Sequence, residues 1–249
     1  MIEGSLIVTG ASRGIGAAVA TSAAEQGFAV AVNFASDRGG AEGVVDRIVS
    51  AGGRAVAIQA DVSVEADVLR LFETAERELG PIRGLVNNAG VTGGITRVEA
   101  LTMQAIKAVL DVNVTGTMLC AREAVKRMST KLGGTGGGIV NLSSLAARIG
   151  GVGEWVHYAA SKGAVESFTR GLAREVAAEG IRVNAVAPGL VDTEIHVRSG
   201  APDRLKRMAP TIPMGRPGTA EEVAAGVLWL LSPAASYVTG TILEIGGGR

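Results

Sequence analysis

Thr9-Gly10-Ala11-Ser12-Arg13-Gly14-Ile15-Gly16 follows the apolar run Leu6-Ile7-Val8 and opens a stretch, Gly16 to Gln26, with the apolar spacing of a helix. The glycines are spaced Gly-x-x-x-Gly-x-Gly. They allow a tight turn and let a pyrophosphate approach the backbone amides of a helix N-terminus, where the helix dipole favours an anion. Three glycines alone also describe an ordinary turn. The place of this one, after a first strand and before a first helix, makes it a dinucleotide-binding turn.

The rhythm begun there continues outward. Leu6–Val8, Phe28–Phe34, Arg54–Ala60, Leu85–Asn87, Gly138–Leu142, Ile181–Ala187 and Thr241–Ile245 read as strands. Several are apolar on successive residues, as parallel strands covered on both faces should be. Between them, Gly16–Gln26, Gly40–Ser50, Val64–Leu79, Thr102–Met128, Tyr158–Ala178 and Ala220–Leu231 read as helices, the last opened by a capping box of Thr219 with Glu222. Strict alternation predicts an α/β fold: one doubly wound, parallel, seven-stranded sheet with helices on both faces, in a single domain spanning residues 1–249. The alternation lapses from Leu190 to Gly218, where four of the seven prolines fall (Pro202, Pro210, Pro213, Pro217). An irregular excursion of that length after a strand is expected to be a substrate lid, about 190–218.

Composition narrows the function classes. Lysine plus arginine equal aspartate plus glutamate, 24 each, without the basic excess that nucleic acid or an anionic membrane would require, so neither is expected as a partner. No apolar run approaches the roughly 20 residues of a membrane-spanning helix and no signal-peptide pattern stands at the N-terminus, so a cytoplasmic location is expected. The single cysteine, Cys120, lies in the apolar stretch Val114–Ala121 and reads as a small buried hydrophobe. No His/Cys cluster suggests a metal.

Two further stretches carry chemistry. In Tyr158-Ala159-Ala160-Ser161-Lys162 a phenol and an ammonium four residues apart share a helix face. A free tyrosine titrates near pH 10, and lowering that by about three units needs about 4 kcal/mol of differential stabilisation. Lys162 and the positive ring of an oxidised nicotinamide are expected to supply it in a dry cleft. Ser143-Ser144 stands just past Ile139–Leu142, at the sheet edge where such folds bind ligands.

Together these stretches resemble the short-chain dehydrogenase/reductase family, in its compact single-domain branch. The resemblance covers essentially the whole chain, adding Asp61-Val62, Asn87-Asn88-Ala89-Gly90, Asn113, Pro188-Gly189 and Thr193 in the right order. It implies a Rossmann-type fold and an oxidoreductase that interconverts a carbonyl and an alcohol by hydride transfer, without a metal. It further implies that Tyr158 is the general acid/base, Ser144 (rather than Ser143) binds the reacting oxygen, Lys162 holds the nicotinamide ribose, and Asn113 anchors a relay water. Cofactor contacts would come from Gly10, Ser12, Arg13, Gly14, Ile15 and Gly16, from Ser36, from Asp61 and Val62 at the adenine, and from Asn88, Ala89 and Gly90. Tyr158, Lys162, Pro188, Gly189, Val191 and Thr193, the last at the carboxamide, would complete them. His157 is expected to pack or to wall the pocket.

NADP(H) is the expected cofactor, with NAD(H) possible. The end of the second strand, Asn33-Phe34, carries no acid to accept from a ribose and repel a 2′-phosphate. Asp37 is the nearby acid, expected to turn to solvent; Arg13 can reach a phosphate, and Ser36 and Arg38 are further donors. Two long helices, from Thr102 and Tyr158, and the segment Ala220–Ile245 imply a homotetramer by resemblance. The substrate is a small carbonyl compound or alcohol. The chain is similar both to 3-oxoacyl-carrier-protein reductases and to glucose-type dehydrogenases, and the arginines expected for gripping an acidic carrier are missing before Gly138, while Glu179 ends the Tyr158 helix. A non-catalytic nucleotide sensor would be free to lose Ser144, Tyr158 or Lys162, all of which are present. An extended-type epimerase lacks support in the glycine spacing. Ser144 and Tyr158 stand fourteen positions apart, and the loop between them carries Arg148, Glu154 and Trp155 to shape the pocket.

Overall fold

The computed structural model describes residues 4–194 and 199–249, so residues 195–198 of the expected lid lie outside the described residues. The strands are β1 (Ser5–Val8), β2 (Ala29–Phe34), β3 (Arg54–Gln59), β4 (Ile82–Asn87), β5 (Gly137–Leu142), β6 (Ile181–Pro188) and β7 (Ile242–Ile245). The helices are α1 (Gly14–Glu25), α2 (Arg38–Ser50), α3 (Glu65–Leu79), α4 (Met103–Leu110), α5 (Thr117–Met128), α6 (Ala146–Ile149), α7 (Val156–Val176), α8 (Arg204–Met208) and α9 (Ala220–Leu231). The strands form one parallel sheet in the order β3-β2-β1-β4-β5-β6-β7.

Side chains alternate across a strand, so a strand buried on both faces feeds two cores. In β1, Leu6 and Val8 join a core with α1, α2 and α9, whereas Ile7 joins another with α3, α5 and α7. All three are fully buried, worth roughly 1.5–3 kcal/mol each in area removed from water. Cys120 lies in the second core, where burial raises its thiol to about 12; it is the inert hydrophobe expected. Thr219 and Glu222 form the capping box of α9, each side chain bonding the other's backbone N–H at 3.2 and 2.8 Å.

Because β1 pairs with β2 on one side and β4 on the other, the connections diverge and open a crevice past the carboxyl ends of these strands. Among the described residues no helix is long and apolar enough to cross a membrane.

Three local readings need correction. β4 begins at Ile82, earlier than its apolar run, because Gly84 lets the strand pass against Leu6: a Cβ there would stand 2.5 Å from the Leu6 side chain. The helix expected over Thr102–Met128 is broken by a wider turn of π type at Asp111–Gly116. Asn113 causes the difference. Its Oδ1 accepts from Val91 N at 2.8 Å and its Nδ2 donates to Val91 O at 2.9 Å, which pulls the helix toward the loop after β4. Thr117 Oγ1 then donates to the Asn113 carbonyl at 2.8 Å, and such bulges recur at functional sites. Finally, short helices α6 and α8 interrupt segments read as loops.

Candidate active site

The glycine turn is built for a close approach. Gly10 and Gly14 have φ of +60° and +53°, which only glycine adopts cheaply. A Cβ on Gly16 would stand 2.5 Å from Asn88 Nδ2 and 2.6 Å from Gly10 O. Asn88 locks the turn to β4, its Nδ2 donating to Thr9 O and Gly10 O at 2.8 and 2.9 Å. The buried Asn33 of β2 accepts from Gly10 N at 3.2 Å. No side chain caps the N-terminus of α1 and no acid lies in its first turn, so its amides remain available to an anion. These features fit a dinucleotide phosphate.

An open cleft extends from this turn along the carboxyl ends of β4, β5 and β6. It brings together Ile15, Asn88, Gly90, Ser144, Tyr158, Lys162, Pro188, Gly189, Val191 and Thr193. Of the other expected cofactor contacts, Ser36, Asp61 and Val62 do not border it. Asp61 is an exposed carboxylate accepting from Ser63 N and Oγ at 2.9 and 2.7 Å, and Val62 is buried against Gly116. Ala89 sits on the glycine turn, its N–H donating to Thr9 Oγ1 at 3.0 Å. Ser12, Arg13 and Gly14 make up the turn itself.

The serine pair divides. Ser143 Oγ is buried and donates to Glu166 Oε1 at 3.0 Å and the Lys162 carbonyl at 3.3 Å. Ser144 stands by the Tyr158 phenol and acts to lower its pKa, and Ser144 Oγ accepts from Ala146 N at 3.1 Å. Lys162 Nζ stands 5.6 Å from the Tyr158 ring centroid and donates to Leu142 O at 2.6 Å. Asn113 lies one layer beneath the cleft, its Nδ2 donating to Ser161 Oγ at 2.9 Å, and Ser161 Oγ in turn to the Tyr158 carbonyl at 2.7 Å. His157 is buried, with Gly93 packed so closely that a Cβ there would stand 2.5 Å from Nε2. Burial lowers its pKa, and it packs rather than faces the phenol.

The electrostatics differ from expectation in one respect. Burial raises the Tyr158 pKa, only partly offset by the nearby Ser144 hydroxyl and the Arg204 cation. Burial likewise lowers Lys162 to about 8. The lowered phenol is therefore not a property of the chain alone. Lys162 also leaves a mark on stability. Its unfolded pKa is about 10.4, so between about 8 and that value the unfolded chain holds more protons and stability rises with pH. A Lys162→Met variant lacks that rise. Its melting temperature minus that of the wild type should be largest near neutrality and shrink as the pH passes through this window; a difference constant with pH would contradict the shift.

Around Arg13 the structure corrects another reading. Asp37 does not turn to solvent: it caps α2 through Gly40 N at 3.2 Å and pairs with Arg13 Nη2. Those contacts, the Gly40 amide first, hold its carboxyl below the usual range. Arg13 Nη1 reaches Glu194 Oε2 at 2.8 Å, just past β6. Arg38 lies over Phe34 and pairs with Glu42 at 3.3 Å, along its own helix.

Several residues of the cleft wall escaped the sequence reading. Thr92, Leu190, Arg204 and Arg249 border the cleft, and of these only Leu190 and Arg204 fell within the expected lid. Arg204 and Arg207, three apart on α8 within a proline-rich excursion, share a helix face, and that spacing was the available clue.

The fold and this cleft are those of a nicotinamide-dependent oxidoreductase, and the chain belongs to the short-chain dehydrogenase/reductase family. The family model described as enoyl-(acyl carrier protein) reductase matches residues 10–249. The chain is 51% identical over 243 residues to the uncharacterized oxidoreductase YgfF of Escherichia coli, covering 98% of each. It is 39% identical to glucose 1-dehydrogenase 2 of Bacillus subtilis, covering 97% of this chain and 93% of that one. A short-chain dehydrogenase from Burkholderia cenocepacia, solved in complex with NADP, superposes with a TM-score of 0.90 at 34% identity, covering 98% of this chain and 96% of that one.

Proposed function

We propose that this enzyme interconverts a small carbonyl compound and its alcohol, with NADP(H) preferred over NAD(H) and Tyr158 as general acid/base. The observation that carries the reading is that Tyr158 and Ser144 border one cleft together with Lys162, whose ammonium stands 5.6 Å from the Tyr158 ring centroid. The bound nicotinamide supplies or accepts the hydride. In reduction, Tyr158 gives its phenolic proton to the carbonyl oxygen, at the atom where negative charge develops. Ser144 donates to the same oxygen and stabilises that charge. Lys162 holds the nicotinamide ribose and restores the phenol's acidity once the cleft is filled. Asn113, fixed at both ends of its amide by Val91, keeps the layer below Tyr158 and Lys162 in place and anchors the relay water. Residues 190–218 serve as the lid.

The 2′-phosphate preference rests on Arg13. Its pair with Glu194 is exposed and worth about 0–1 kcal/mol, so Glu194 yields readily to a phosphate. Asp37 works against the phosphate from the other side. A test panel of ketones, diketones, 3-oxoacyl thioesters and sugars, followed at the absorbance of the reduced nicotinamide, decides the reading; no turnover of any of them would overturn it. Among these, acyl-carrier substrates have the least support, since Glu179 is engaged by Ser129 and Lys131 and offers no basic grip.

We further infer a cytoplasmic homotetramer with two-fold axes. Met103, Leu110 and Met118 are exposed along α4 and α5, and Trp229 and Tyr237 near β7. Paired copies would cover these two faces. Light scattering should give four times the chain mass across micromolar concentrations; a stable monomer contradicts the assembly.

A further inference from the structure

We propose that the carbonyl substrate also carries a carboxylate, and that Arg204 receives it. The inference rests on the reading of the cleft as a site of carbonyl–alcohol interconversion, and names the substrate class: an oxo acid and the corresponding hydroxy acid. Arg204, the first residue of α8, borders the same cleft as Tyr158 and Lys162. Its side chain is 12% exposed, and its guanidinium lies over the Trp155 ring, 4.4 Å from the centroid.

Among the described residues, the hydrogen bonds of that guanidinium use only one of its edges. Nε and Nη2 both donate to a single oxygen, Glu154 Oε2, at 3.0 and 2.8 Å. The other Glu154 oxygen accepts from Arg207 Nη2 at 3.0 Å. A guanidinium presents five N–H donors in a fixed fork. Glu154 takes the side edge. The end edge, formed by Nη1 with the second hydrogen of Nη2, has no partner among the described residues. That edge matches a carboxylate bidentately, and the stacking on Trp155 holds it rigid.

Charge points the same way. Lys162 and Arg204 border the cleft, and no aspartate or glutamate among the described residues does. Glu154 balances only one of the two α8 guanidiniums it binds, leaving the cluster one positive charge in excess. In a partly dry cleft such an excess draws an anion. The field already reaches the reacting group, since the Arg204 cation pulls the Tyr158 pKa down against the burial that raises it. Between these poles the wall is apolar, with Leu145, Ile149, Trp155 and Leu190, so a hydrocarbon segment joins the carbonyl to the carboxylate or lies beside both.

The test is calorimetric titration of the enzyme loaded with NADP+ or NAD+, whichever it binds more tightly. The probes are 2-, 4- and 5-oxohexanoate, each beside its methyl ester. At least one acid should bind at least about tenfold tighter than its ester, as a charge-assisted bidentate contact warrants. Arg204→Gln should abolish that advantage. Arg207→Gln, which loosens α8 from Glu154 but keeps Arg204, should preserve it. The proposal is overturned if no acid outbinds its ester, if Arg204→Gln keeps the advantage, or if Arg207→Gln removes it as fully, which would reduce Arg204 to a clamp for α8. The functional reading fails separately: acids held through Arg204 by an enzyme whose Tyr158→Phe variant turns over normally would refute the acid/base assignment and leave the carboxylate site standing.

Discussion

Tyr158→Phe should bind the nicotinamide cofactor as the wild type does and lose turnover by about two to four orders of magnitude, the usual share of general acid/base catalysis. The phenyl ring keeps its edge contact with Trp155, whose ring centroid lies 6.5 Å away, so the loss cannot be assigned to collapse of the wall. Cofactor titration and steady-state rates on one substrate, read together, check it. A variant with near-wild-type kcat would remove Tyr158 from the mechanism. The pH profile adds a second reading. Burial raises the phenol's pKa in the protein alone, so the basic limb of the reduction rate, where the phenol has lost its proton, reports how far the filled cleft brings that pKa down.

Arg13→Ala should shift cofactor choice by about ten- to a hundredfold, the span expected for losing hydrogen bonds to a charged group, about 1.5–3 kcal/mol. The readout is the ratio of kcat/KM with NADPH to that with NADH on one substrate. The wild type should favour NADPH and the variant should lose most of that preference. Asp37→Asn should move the ratio the other way, because the carboxylate beside Arg13 would repel the 2′-phosphate. A wild type favouring NADH, or an unchanged ratio in Arg13→Ala, would show that the guanidinium serves its two carboxylates and nothing else.

What was legible in the chain was what local pattern carries. The glycine turn, the apolar strands and the Tyr158/Lys162 spacing each need only neighbours in sequence, and the sheet they imply is the one found. The choice of Ser144 over Ser143 came from resemblance, and the two serines do take different partners. What stayed hidden depends on residues far apart meeting in space. The wider turn at Asn113 exists because its amide finds Val91, 22 positions earlier. Arg13 meets Glu194 from 181 positions away, and Arg204 meets Glu154 from 50. Asp37 looked free because its loop is short and polar; its actual place depends on a backbone amide and an arginine that no periodicity announces.

The pairing of α1 with α9 has a consequence for synthesis on the ribosome. The core beneath the glycine turn is completed by Val223, Ala224, Val227 and Leu228, which are made long after the turn itself. Until that segment leaves the exit tunnel, the apolar side of α1 lacks the cover that these residues provide. Sequence separation of that size slows folding, and the uncovered surface is open to chaperones and proteases meanwhile. The glycine turn is thus written well before its cover, and a nascent chain can gain little from cofactor until Ala220–Leu231 has been made.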